Sequence, residues 1–488
     1  MNKKCRCRYE IVGVIILAAI FLIEIYPIVL TVHDDILTYA IVRHEDLWKA
    51  AKDNLFTGRL PQLWNTLLLG FPMLMQKVWF YKGISYITLL FDGLIFYRLI
   101  ERVFGNQAAV LTTALFWGLA SVTNQHSLFV SYVLARQIVI GILLLSIYFF
   151  IDYYYKSKVR YLWYSSFLYL AASMLYEAAV PFGLIFLLIA LGQDVSWKKK
   201  VLSIVLPGGM VAIWLVLYFG WQAMCPTEYD GGTLYFGNIL GSLWAVFMYS
   251  LGSFPVYSLI IVLVKGHVRF RECTFPIMGL VAAGLTSAMW YRILPRIQWD
   301  KRKRWPLVIT GVSIFLPNLI LGFTPKYLEW SQRMIFTYLT TFYSYFFLIA
   351  FGVIGSAALY QVCRRKREFL VMTTVAVFLT SLTAGVNNGL WKEEFHYLDD
   401  KNKAFDEAVS SAEFLQYESG TNVYIPDYIG IIGNMEYTQY YSQLYTDKTY
   451  EFRNKKEDLD FNQTVIEFRY IPEEKRIEII ELNKTEAY

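Results

Sequence analysis

Apolar residues in this chain come in long unbroken runs, not in alternation with polar ones. Runs of about 15 to 25 residues, wound as helices, are long enough to cross a hydrocarbon core of about 30 Å. A membrane β-barrel would instead show polar residues at every second position. Spans are expected at residues 11–32, 78–98, 108–124, 132–152, 161–176, 178–192, 201–221, 275–294, 307–323, 335–360 and 369–387. Short basic clusters separate them: Arg98 with Arg102, Lys156 with Lys158, Lys198-Lys199-Lys200, and Arg364-Arg365-Lys366-Arg367. Such clusters face the cytoplasm. The basic N-terminus, with Lys3, Lys4, Arg6 and Arg8, then lies inside as well. The expected class is an all-α polytopic membrane protein of about eleven spans, N-terminus in and C-terminus out.

Residues 238–264 test that count. A single crossing there would place Lys301-Arg302-Lys303-Arg304 outside, against the charge rule, and the run is interrupted by Gly252 and Pro255. It is therefore read as a re-entrant or interfacial element on the outer side, where irregular backbone is tolerated if it lines a cavity. The first run is read as a retained helix, because it is too long for a signal-peptide core and lacks a small-residue cleavage site.

Two segments are too polar to span. Residues 33–77 form a long outer loop with two amphipathic stretches, one carrying Leu47, Trp48, Ala51 and Leu55, the other Leu63, Trp64, Leu67 and Leu68. Gly58 ends the first and Pro61 opens the second, so two helices lying in the interface are expected. Residues 1–390 then make the membrane domain and 391–488 a small outer-face α+β tail. In the tail, residues 404–416 read as a helix, 422–425 as a strand, and 464–470 with 476–482 as a hairpin around Pro472.

Composition changes this picture little. The chain is 56% hydrophobic with a net charge of +6, and its mean hydropathy is +0.39. The basic residues sit in clusters between apolar runs, which does not point to nucleic acid. Five cysteines are scattered without metal-ligand spacing and imply no disulfide framework.

Candidate chemistry gathers at the outer ends of the spans. Where the first span ends, the chain reads Thr31-Val32-His33-Asp34-Asp35. Adjacent carboxylates at a membrane interface are costly unless they are used or neutralised; the bland alternative is a solvated turn. Glu177 lies between two short apolar runs and is either functional or paired with Arg59 or Arg136. Asn124, Gln125 and His126 either cap a span or line a groove. Glu24 and Asp92, inside spans, are expected to pair structurally. Asp399-Asp400 is read as solvated tail surface, and the sequons at Asn462 and Asn483 are discounted as a pattern frequent by chance.

An aspartate pair directly after the first span, followed by a long outer loop with interfacial helices, resembles the GT-C glycosyltransferases. Gly58-Arg59, Leu175-Tyr176-Glu177, Leu316-Pro317-Asn318 and Pro325-Lys326-Tyr327 extend the resemblance, which is most similar to bacterial Gtr-type glucosyltransferases and covers roughly residues 1–390. It implies a hexose donor carried on polyprenyl phosphate, a surface polysaccharide or glycolipid acceptor, and no nucleotide at the site. It also implies Asp34 as the base and Asp35 as the residue orienting the acceptor. No cofactor is required by the resemblance, although Asp34 and Asp35 could hold a divalent metal. His33 would tune Asp34, while His126 and Arg136 would reach the substrates. Arg59, Lys265, Arg269, Lys326 and Arg333 are the cations available for the phosphate. Two other readings stay open: a lipid-linked-sugar flippase, which would favour internal repeats and midplane charges, and a non-catalytic assembly protein, which would leave the aspartate pair without a role.

Overall fold

The computed structural model describes residues 3–30, 32–124, 126–226, 233–265, 277–426 and 448–482, with isolated positions 438, 442 and 446. Among them seven helices are long and apolar enough to cross a membrane.

The chain opens with α1 (Lys3–Glu24), α2 (His33–His44), α3 (Leu47–Leu55) and α4 (Gln62–Gly70). The first helix stops eight residues short of the expected end at 32, because Pro27 disfavours helical backbone in the residue before it. The two amphipathic helices of the outer loop are present as α3 and α4. Ahead of them, the aspartate pair falls in the first turn of a third helix, α2, that was not expected.

Next come α5 (Val78–Phe104), α6 (Asn106–Gly118), α7 (Gln137–Lys156), α8 (Val159–Leu175), α9 (Gly183–Gly192) and α10 (Trp197–Met224). Here the expectation fails in one place. Residues 119–124 and 126–136 are not the ends of two helices but irregular chain buried among them. Its Leu119, Val122, Leu128, Phe129, Val130 and Val133 are all at most 4% exposed, and this apolar content is what reads as helix. Buried irregular backbone needs partners, and distant side chains supply them. Val122 N–H donates to Asn388 Oδ1 at 2.8 Å, Gln137 Nε2 donates to Leu128 O at 2.7 Å, and Tyr81 OH donates to Val130 O at 3.3 Å, while the segment's own Asn124 Nδ2 donates out to Thr337 O at 2.7 Å.

The interrupted run forms two helices, α11 (Ile239–Leu251) and α12 (Pro255–Lys265), broken at Gly252 as its sequence predicts. There follow α13 (Ile277–Ile293), α14 (Arg304–Ser313), α15 (Leu319–Gly322), α16 (Pro325–Gln332), α17 (Thr341–Val362) and α18 (Lys366–Ser410). Between α14 and α15 the Leu316-Pro317-Asn318 turn is a buried knot. Asn318 Nδ2 donates to Ser250 Oγ at 3.0 Å and Ser344 Oγ at 2.9 Å, and Oδ1 accepts from Thr340 at 2.6 Å. Gly118 lets α6 and α13 touch: a Cβ there would lie 2.0 Å from Thr286 Oγ1.

At 45 residues, α18 is about 68 Å long, far more than a bilayer needs. It runs on into the tail, where α19 (Ala412–Leu415) and four strands follow: β1 (Asn422–Tyr424), β2 (Glu451–Arg453), β3 (Val465–Ile471) and β4 (Arg476–Glu481). The sheet order is β2-β1-β3-β4, with the hairpin antiparallel and Phe468 opposite Ile479. Phe405, Phe414, Val423, Phe452 and Phe468 form its core, and Ile36 of α2 joins them. With the Arg43–Asp406 ion pair at 2.9 Å, this docks the tail onto the helix that carries the aspartates.

Candidate active site

The two aspartates begin α2, where the helix N-terminus favours negative charge, yet they face different surroundings. Asp35 is fully buried. Both of its oxygens accept from the Tyr132 backbone N–H, at 3.2 and 3.1 Å, and Oδ2 also accepts from Tyr81 OH at 3.3 Å. Burial, only partly offset by these bonds, pushes its carboxyl up to about 8. Asp34 stays half-buried and accepts from Tyr132 OH at 2.5 Å. One tyrosine therefore grips both carboxylates, one through its backbone and one through its phenol. Burial, then the nearby Asp34 charge, hold that phenol well above its ordinary pKa, so it stays a donor. Tyr132 can do both only because its backbone is left-handed, with φ 48, a region side-chain-bearing residues seldom occupy and one that marks stored strain. Leu134, at φ 65, shares the strain.

The break between α1 and α2 is fastened from α5. Lys82, 1% exposed, donates to Ile25 O at 3.0 Å and also to Ile28 O. It answers carbonyls just past the end of α1, where the helical ladder stops. Neither Tyr132 nor Lys82 figured among the expected site residues. The only signal in the sequence was a lysine inside an apolar run.

A second cluster forms around Glu177, which begins the 3-10 turn Glu177–Phe182 after α8. Arg59 Nη2 lies 3.1 Å from Glu177 Oε1. Arg59 follows Gly58, whose φ of 87 turns the chain out of α3. Arg136 donates to Leu175 O at 2.7 Å, stacks on the Tyr176 ring at 4.0 Å, and has its own carbonyl held by Tyr343 OH at 2.7 Å. Burial acts to raise the Glu177 pKa, but the charges of Arg59 and Arg136 outweigh it and hold the carboxyl below its ordinary value. Glu177 Oε2 and Arg136 Nε are buried with no hydrogen-bond partner among the described residues. The pairing with Arg59 is the structural alternative the sequence left open, and Arg136 joins it at longer range.

On the other side of Tyr132, an aromatic wall follows. The His126 ring stacks on Tyr132 at 6.5 Å and meets Tyr338 at 5.5 Å and Trp330 at 6.4 Å. Lys326 Nζ lies over Trp330 at 5.3 Å. Arg333 is not drawn in: it pairs with Glu329 one turn back at 2.5 Å, and both side chains are more than half exposed. The side chains of His33 and Lys265, and the whole of Arg269, lie outside the described residues. Glu24 accepts from Asn388 at 3.3 Å, as a structural pair would.

As a metal site the arrangement is sparse. Asp35 is committed to Tyr132 and Tyr81, and the described residues contain no group of three or more His, Cys, Asp or Glu able to hold an ion. A divalent cation bound by protein oxygens needs more ligands than Asp34 alone.

No family model matches the sequence, and no curated protein matches it. Solved structures of similar outline exist. ArnT from Cupriavidus metallidurans in the apo state is 13% identical, covering 99% of each chain with a TM-score of 0.46. The same protein bound to undecaprenyl phosphate is 12% identical, covering 98% of this chain and 99% of that one at 0.44. The Archaeoglobus fulgidus oligosaccharyltransferase in complex with Zn and sulfate is 13% identical over 90% of this chain at 0.44. The present chain spans only 62% of that protein's length.

Proposed function

We propose that this protein is a membrane glycosyltransferase. It moves a hexose from a polyprenyl-phosphate donor to a surface polysaccharide or glycolipid on the outer face of the plasma membrane. The observation that carries the reading is the division of labour within the aspartate pair. Tyr132 ties Asp35 into the core through its backbone N–H and leaves Asp34 part-exposed, with the Tyr132 phenol on Oδ2. A part-exposed carboxylate beside an aromatic wall and a cluster of arginines suits hydroxyl activation next to a lipid phosphate.

The acceptor hydroxyl gives its proton to Asp34 as its oxygen attacks the anomeric carbon. The bond from that carbon to the phosphate oxygen breaks, and its electron pair leaves with the lipid phosphate. Asp35 does not touch the acceptor; buried, it fixes the Tyr132 backbone and so the phenol that aims Asp34. Arg136 and Arg59, which outnumber Glu177, receive the phosphate charge, with Lys326 over Trp330 as a further cation. His126, Tyr338 and Trp330 offer faces on which a sugar can stack.

The test is transfer of labelled hexose from polyprenyl phosphate in membranes carrying wild type or Asp34→Asn at equal levels. Asparagine keeps the size and cannot take the proton, and a fall of about a hundredfold or more is expected, in the range of lost general-base catalysis. Wild type that fails with every lipid-linked hexose tried would sink the reaction class. Full activity in the mutant would sink Asp34 as the base and turn attention to Glu177.

A further inference from the structure

A cavity of about 280 Å³ lies far from the aspartates, enclosed by α5, α7, α9, α14 and α17. On α5, Tyr81 touches Asp35 and Leu99 lines the cavity; 18 residues separate them, about 27 Å along the axis. The cavity therefore opens at the opposite membrane face. Its deep walls are apolar, with Leu99, Ile147, Ile189, Phe347 and Ala350.

Four polar side chains along these walls are already bonded within the protein. Tyr154 OH bonds Ser203 Oγ at 2.6 Å. Thr310 donates to Pro306 O at 2.8 Å, Ser313 to Ile309 O at 2.7 Å, and the Trp305 indole to Leu188 O at 2.9 Å. An occupant thus meets apolar surface, and water would find few partners. The mouth differs: Tyr155, Gln193 and Arg302 stand there. Arg302 is exposed and has no ion pair among the described residues. This end also carries the basic clusters Lys198-Lys199-Lys200 and Lys301-Arg302-Lys303-Arg304, which mark the cytoplasmic face. That leaflet is the anionic one.

We propose that this cavity seats one acyl chain of an anionic phospholipid from the cytoplasmic leaflet, with the phosphate at Arg302. An apolar slot with a cationic mouth at a membrane interface matches a lipid tail and headgroup together. Nothing in this assignment depends on the glycosyltransferase reading.

The full chain, in nanodiscs holding equal phosphatidylglycerol and phosphatidylcholine, would be released for native mass spectrometry. Wild type should retain phosphatidylglycerol over phosphatidylcholine by about fivefold, the worth of one basic residue at an anionic surface. Arg302→Gln should still retain lipid but without the preference. Ala350→Phe, which fills the cavity, should lose the retained lipid. Should that variant not fold, Ala350→Leu serves, read by whether added phosphatidylglycerol still raises its melting temperature as it does in wild type. Equal retention of both lipids by wild type overturns the assignment of an anionic lipid at Arg302. Undiminished retention or stabilisation in the Ala350 variants overturns the cavity as its seat.

Discussion

The Arg59–Glu177 pair clamps the first outer loop to the spans, and its removal should open that loop. Arg59→Met keeps most of the side chain's bulk but strips the charge facing Glu177, a residue 9% exposed. Breaking one side of a buried pair costs about 3–5 kcal/mol, because the remaining charge is stranded. Here the side chains keep 16% and 12% exposure and the field of Arg136 persists, so about 2–4 kcal/mol is the better expectation. The loop is also held by Trp221 Nε1 donating to Leu55 O at 2.9 Å, so opening should be local. Lys49 and Lys52 in α3 are exposed trypsin sites whose cleavage in the native protein reports that opening. Cleavage should accelerate by roughly thirty- to several-hundred-fold at tenfold per 1.4 kcal/mol. Adding Glu177→Gln removes the stranded charge and should bring the loss back to about 1 kcal/mol. Unchanged cleavage in the single variant, or a double variant as loose as the two singles summed, would refute the clamp.

Three further outcomes are expected. Asp35, raised from 3.8 to about 8 by burial, keeps a proton in the fold that the unfolded chain releases. Stability should therefore fall as pH rises through that window, by up to about 1.4 kcal/mol per unit. Asp35→Asn should flatten the trend; equal slopes in thermal melts from pH 5 to 8.5 would count against it. Tyr132→Phe removes the 2.5 Å bond to Asp34 but leaves the N–H on Asp35, so transfer should drop about ten- to a hundredfold, a loss of 1.5–3 kcal/mol. An unchanged rate at equal expression would contradict the role. Asn318→Ala takes the acceptor from the buried Thr340 hydroxyl and a donor from each of Ser250 and Ser344 and should lower stability by about 1–3 kcal/mol; an unshifted melting temperature would show the knot to be dispensable.

Elements whose partners are near in sequence were legible from the chain. Most of the long apolar runs, the interruption at Gly252, the paired helices α3 and α4, and the tail hairpin follow from local periodicity and turn residues and appear near their expected places, although α1 ends eight residues early and α6 and α7 stop short of each other. Hydropathy is a property of a window, so it could not reveal the segment 119–136. That segment is as apolar as a helix, and its backbone is satisfied partly by short turns of its own and partly by the side chains of Asn388, Gln137 and Tyr81. Asp34 and Asp35 stood out as an adjacent pair of charges at a span's end. What separates them, one enclosed and one part-exposed, is Tyr132, 98 residues from Asp34. Arg59 and Glu177 are 118 apart and Arg43 and Asp406 are 363 apart. The chain alone therefore determined which stretches are apolar enough to cross a membrane and which charges need an explanation. Only tertiary packing decided which charges meet, because burial and pairing arise between segments whose sequences carry no mark of one another.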